Sequence, residues 1–197
     1  MNMTRTYTMG KRADQQAQTR QRIVEAAVDL HGTVGPAQTT VTMIAERAGV
    51  QRHTFYKHFP DERSLMMACS GLAAERDPMP EAEPWRAIGD REERLGTALS
   101  EVYAWFGRNA GLMACVTRDA QNHALTREIA ELRRGPVIAA YAEVLGGNRG
   151  PLGRAALQLA LSFPSWNTLV RDAGLSQEDA VKVMVCAVLA AEDVPAE

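Results

Sequence analysis

The side chains able to do chemistry fall into three groups. Cys69, Cys115 and Cys186 are widely spaced, without a CxxC pair or a secretory leader, so neither a zinc site nor a disulfide framework is expected. Their apolar neighbours predict buried, inert thiols. His53 and His58 stand five residues apart, off any common helical face, and no HExxH, nucleophile elbow, P-loop or GxGxxG occurs. That pattern gives no support to metal ligation or catalysis, and no cofactor is expected; a cysteine redox sensor and a helical enzyme are the competing readings. The third group is basic. Residues 1–63 hold nine Lys/Arg against six Asp/Glu, whereas residues 64–197 hold thirteen against eighteen. A small basic segment on a larger acidic body suits a first part that meets a polyanion.

The elements that must carry these residues are helical. The 197 residues are 46% hydrophobic and 23% charged, the composition of a folded chain of one or two domains. No apolar run approaches the roughly 18 residues of a membrane span, and Met1 to Arg12 contain no signal-like apolar core, so a cytoplasmic protein is expected. Residues 1–17 are polar and read as a flexible basic arm carrying Arg5, Lys11 and Arg12. Ile23, Ala27, Leu30 and Val34 recur at helical spacing until Gly32 and Gly35-Pro36 end the run. Thr40 caps a second helix bearing Val41, Ile44, Ala45 and Ala48, and Gly49 stops it. Phe55 and Phe59 mark a third, closed by Pro60; Asp61 caps a fourth with Leu65, Met66, Cys69 and Leu72. The proline- and acid-rich stretch 77–84 is the linker.

Beyond it lie further helices: Leu95 to Phe106, Leu112 to Val116, Leu125 to Leu145 with Pro136 as a kink or restart, Leu152 to Val170 with Pro164 inside, and a last one capped by Ser176. No segment alternates with period two. The expectation is an all-α fold of about nine helices: an arm (1–17), a three-helix unit (18–63), a connecting helix (64–76), the linker (77–84) and a second domain (85–197).

Helices two and three have the spacing of a helix-turn-helix. Ala45 is small where the helices cross, Gly49 permits a left-handed backbone, and Ile44, Ala48, Val50 and Phe55 supply a shared core; an ordinary αα-hairpin would satisfy the same sterics. The run Thr40-Val41-Thr42-Met43-Ile44-Ala45-Glu46-Arg47-Ala48-Gly49-Val50, followed by Thr54-Phe55-Tyr56-Lys57-His58-Phe59-Pro60 and Leu65, resembles the N-terminal domain of the TetR family of bacterial transcriptional repressors, over roughly residues 19 to 70.

The resemblance implies that the third helix enters the DNA major groove. Arg52 and His53 would then face base edges, an arginine being suited to bidentate donation to guanine. Thr40, Thr42, Thr54, Tyr56, Lys57 and His58 match positions that touch phosphate or sugar. Three residues depart from the family pattern: Gln51, also on the DNA-facing segment, where Ser or Thr often caps the helix; His53, where a small residue or proline is frequent; and Glu62, where a lysine often reaches a phosphate. The resemblance further implies an operator-bound homodimer, joined through the two C-terminal helices and released by a small-molecule effector. Trp85, Tyr103, Trp105, Phe106, Met113, Tyr141, Phe163 and Trp166 are the large side chains available to line an effector cavity, with Arg118 and His123 as polar anchors.

Overall fold

The computed structural model describes residues 3–147 and 150–192. Among them there is no strand, and ten α-helices occur: α1 (Met3–Thr33), α2 (Val41–Ala48), α3 (Arg52–His58), α4 (Glu62–Arg76), α5 (Arg91–Arg108), α6 (Ala110–Asp119), α7 (Ala124–Gly146), α8 (Pro151–Ala160), α9 (Phe163–Asn167) and α10 (Gln177–Glu192). The all-α expectation is met. The chain divides into two compact units after Asp77, within the expected linker. The first unit also takes Ala114–Ala130, which the sequence had assigned wholly to the second domain, so α6 and α7 are each divided between units.

In the first unit α1 packs on α2 and α4, and α2 on α3. Ile23, Ala27, Ile44, Phe55, Phe59 and Leu65 form its core, each at most 4% exposed. The helix ends follow the sequence closely. Thr40 caps α2 by accepting from the Met43 amide, and Gly49 closes it at φ 64°, ψ 41°. Asp61 caps α4 through the Ser64 amide at 2.7 Å. One expectation fails: the segment read as a flexible arm is helical from Met3, continuous with α1. Ala, Gln, Lys and Arg between Lys11 and Gln18 are strong helix formers, and polarity without apolar periodicity concealed that propensity.

The second unit is built around α5, whose Leu95, Leu99, Val102, Tyr103 and Phe106 are buried, with α8 and α10 packed together and α10 also on α5. Pro136 neither ends nor restarts α7, which runs through it. The expected helix over Leu152 to Val170 is instead interrupted after Ala160. Ser162 starts α9 by accepting from the Ser165 amide, and Pro164 sits in the first turn of α9, where a missing N–H costs nothing. A π-helical turn, Thr168–Asp172, follows.

Candidate nucleic-acid interface

The α2–α3 pair is assembled from a few rigid joints. The αL glycine turns the chain, the Val50 amide donates back to the Ala45 carbonyl at 2.9 Å, and the Thr54 and Phe55 amides both donate to the Gln51 carbonyl, opening α3. Seven residues are too few to hold a helix in isolation; α3 is held by its inner side. Phe55 and Phe59, 3% and 1% exposed, face the core with ring centroids 6.0 Å apart. The Arg20 guanidinium of α1 lies 4.8 Å over the Phe59 ring, a cation–π contact that covers it from outside.

With that side fixed, the opposite side of α3 presents Arg52, His53, Tyr56 and Lys57 to solvent, with Thr54 and His58 partly buried beside them. Gln51, the N-cap, is exposed and makes no side-chain cap bond, while His53 Nε2 and Thr54 Oγ1 stand 3.3 Å apart. Tyr56 packs its ring edge-on against Phe55 at 5.5 Å yet remains 48% exposed, an aromatic surface with a hydroxyl outward. Thr42 is exposed on α2, and Thr40 uses its hydroxyl on the cap. Thr40, Thr42, Gln51, Arg52, His53, Tyr56 and Lys57 are exposed, and Thr54 and His58 half-buried. Arg47, also basic, is turned away into an exposed ion pair with Asp29 of α1 at 2.9 Å.

Glu62 stands in the first turn of α4, where a carboxylate is favoured by the helix dipole. Its Oε1 lies 3.4 Å from His123 Nε2, while His123 Nδ1 stands 2.7 Å from Thr126 Oγ1. Next to it Arg63 forms an ion pair with Glu128 that raises the guanidinium's pKa, first through the hydrogen bond and then through charge. A cleft of about 440 Å³ in this unit is lined by Ile44, Phe55, Phe59, Leu65, His31 and His123, among others. Beneath it His31 is 6% exposed, with Nδ1 3.4 Å from Cys69 Sγ. Burial lowers its pKa to about 4 against a smaller opposing pull from Asp119. Sequence reasoning did not single out Arg20, which covers Phe59, or the buried His31. The helical register of α1, which places basic and apolar residues on adjacent faces, was the available signal.

The predicted effector-lining residues separate. Arg118 and His123 belong to the first unit; the other eight belong to the second unit and are all 7% exposed or less. Phe106 meets Phe163 at 5.6 Å and Trp166 at 6.0 Å, and Trp85 meets Tyr141 at 4.8 Å. Tyr103 donates to the Ala160 carbonyl at 3.0 Å, Tyr141 to the Pro80 carbonyl at 2.5 Å, and Trp85 Nε1 to Glu101 at 3.1 Å. Burial drives both phenols above their usual pKa. Trp166 Nε1 alone is a buried side-chain donor without a partner among the described residues. Of the thiols, Cys69 and Cys115 are buried as expected, whereas Cys186 is exposed on α10, where its neighbours Val185 and Val188 are buried but Val183 and Ala187 are exposed with it. No group of three or more metal-ligating side chains occurs among the described residues.

Residues 23–69 match the family model of bacterial regulatory proteins of the tetR family. The HTH-type transcriptional regulators SrpR and TtgW, both of Pseudomonas putida, are each 35% identical over 69 residues, 35% of this chain. The match spans 32% and 50% of those relatives' own lengths. Along most of the chain the fold is that of solved regulators. A transcriptional regulator from Rhodococcus sp. Rha1 superposes with a TM-score of 0.64 at 22% identity, over 90% of this chain and 99% of its own. A tetR-family regulator from Streptomyces coelicolor gives 0.61 at 18%, over 89% and 80%. The helix-turn-helix signature of the tetR family of bacterial regulatory proteins thus lies at residues 23–69, seated in an all-helical fold shared with solved regulators.

Proposed function

We propose that two copies of this chain bind a pseudo-palindromic duplex through paired α3 helices and release it when a small molecule occupies the second unit. One observation carries the reading: Phe55 and Phe59 anchor α3 inward while Arg52, His53, Tyr56 and Lys57 stand outward together. Arg52 and His53, at the start of α3, read base edges; Thr40, Thr42, Gln51, Thr54, Tyr56, Lys57 and His58 grip the backbone on either side. One short helix reads too few base pairs for useful specificity, hence two copies. Glu62 repels phosphate and leaves that edge of the footprint weak.

The dimer forms through α8 and α10. Leu152 and Leu159 on α8 and Val183 on α10 are large apolar residues left exposed, alongside the exposed Cys186, Ala187 and Ala190, a surface that a second copy would bury. The aromatic cluster of the second unit, with the orphan Trp166 Nε1 as a donor seeking an acceptor, supports a ligand of apolar body and at least one acceptor atom. Arg118 and His123 would act on that response from the first unit.

Gel-shift titration across salt tests the division of roles. Arg52→Ala should relax base preference, with about 1–3 kcal/mol of discrimination lost. Lys57→Ala should weaken all duplexes alike and reduce the salt slope by about 0.9 per lost phosphate contact, roughly 2 per dimer. Identical behaviour of the two variants, or a wild-type protein that selects nothing from a random duplex pool, would overturn the reading.

A further inference from the structure

We infer that Asp119 and Arg118, at the C-terminal end of α6, are positioning residues for DNA binding: they clasp the turn between α1 and α2 and thereby fix the α2–α3 pair. The inference rests on the DNA-binding reading above. The turn comprises Val34, Gly35 and the 3-10 segment Pro36–Gln38. Asp119 Oδ2 accepts from the Ala37 amide at 2.9 Å. Arg118 Nη2 donates to the Val34 carbonyl at 2.8 Å, and Arg118 Nε donates to Asp119 Oδ1, also at 2.8 Å. The two backbone groups on either side of Gly35 are thus held by one interlocked pair of side chains more than eighty residues away in sequence. All four residues belong to the first unit.

Three features set this apart from an ordinary surface ion pair. First, the carboxylate is buried: the Asp119 side chain is only 4% exposed, against 51% for Arg118. Burial by itself would raise its pKa, yet the Arg118 hydrogen bond, the Ala37 amide and nearby positive charge outweigh it and hold the pKa below its usual value. Second, Gly35 has φ 104°, a conformation that L side chains rarely adopt, and an added Cβ would run into Arg118 Nη2 and lie 2.5 Å from Asp119 Oδ2. The clasp closes onto the backbone itself, which only glycine allows. Third, the turn leads within three residues to Thr40, the cap of α2. Thr39 Oγ1 also donates to the Gly35 carbonyl at 2.7 Å, so displacement of the turn is delivered to α2 and, through the shared core, to α3.

The test uses the full-length protein, a duplex selected by the wild type from a random pool, and backbone hydrogen exchange. Asp119→Ala removes the acceptor, Asp119→Asn keeps the shape should the first variant fail to fold, and Arg118→Met keeps the apolar stem. Expected are faster exchange at Ala37 and across α2–α3, about tenfold weaker binding for the Asp119 variants, and an unchanged salt slope, because no phosphate contact is lost. A folded Asp119 variant with wild-type exchange and affinity overturns the proposal. So does a salt slope that falls for Arg118→Met, which would make Arg118 a phosphate ligand rather than a positioning residue. If the wild type selects no duplex, the DNA-binding reading fails, and the exchange data still decide whether the clasp orders α2–α3.

Discussion

His31 lies in the core of the first unit, 6% exposed, and its pKa is lowered from 6.5 to about 4, chiefly by burial. The imidazole is neutral in the folded protein at neutral pH. When the chain unfolds, the side chain returns to water and binds a proton below pH 6.5. The folded state does not bind it until about pH 4. Between those values the unfolded state carries the extra proton, so stability falls as pH falls from 6.5 and levels off below about 4. At 1.36 kcal/mol per pH unit the whole window amounts to about 3 kcal/mol. Asp119, with its lowered pKa, works in the same direction further into acid, where stability present above its unfolded value is lost as the carboxylate protonates. Denaturation midpoints of wild type and His31→Gln from pH 7.5 to 4 separate the two groups, because the variant keeps Asp119. The wild type should lose about 3 kcal/mol more than the variant across this range, and the His31 ring proton resonance should stay unprotonated in position down to about pH 5. Parallel curves for the two proteins, or a resonance that titrates near 6.5, would refute the burial reasoning.

At Gly49 an added Cβ would meet only Arg22 Nη1, at 3.9 Å. Gly49→Ala should therefore cost only the left-handed backbone penalty, about 1–2 kcal/mol, with Gly49→Asn costing less; a loss well above that in thermal unfolding would show an unrecognised packing role. Leu159 and Val183 are 59% and 45% exposed in the single chain, so Leu159→Glu and Val183→Glu should leave the fold intact while converting the proposed dimer to monomer in light scattering. Cys186, on the same helix as Val183, should then react faster with a thiol probe, and a dimer that survives both substitutions would place its interface elsewhere.

What the sequence made legible, and what it hid, follows from how local each constraint is. Thr40, Gly49 and Asp61 act on backbone groups within three or four residues, and each sits in the structure at the helix end where its chemistry is needed. Ala45, Ala48 and Phe55 are equally local, since α2 and α3 are adjacent in the chain. The same locality made Ser176 visible as the start of α10, where its Oγ accepts from the Asp179 amide at 3.0 Å. Pro164 misled because a proline inside an apolar run can be a kink or a first-turn residue, and only Ser162, two positions earlier, decides for the latter. The transfer of Ala114–Ala130 to the first unit had no local signature at all. It depends on Asp119 reaching Ala37 and Arg63 reaching Glu128, pairs separated by 82 and 65 residues.

The division between legible and hidden also explains why an interface can be proposed residue by residue while a ligand of the second unit cannot. A surface that reads a regular duplex must place a few charged and polar groups on a rigid support, and that support needs particular residues: glycine at φ 64°, a hydroxyl cap, two phenylalanines four apart. Few sequences satisfy those demands, so the pattern persists across chains that share little else. The second unit has no such demand on individual positions. Its aromatic core is satisfied by any set of side chains that fills the volume, and Trp85, Tyr103 and Tyr141 have found carboxylate or carbonyl partners within it. Among the described residues, Trp166 Nε1 is the one buried side-chain polar atom left without a partner. A buried N–H left without an acceptor costs about 1–3 kcal/mol, and a ligand oxygen that met it would recover part of that cost. Any ligand proposed for the second unit is therefore constrained by what the core lacks rather than by the residues it contains.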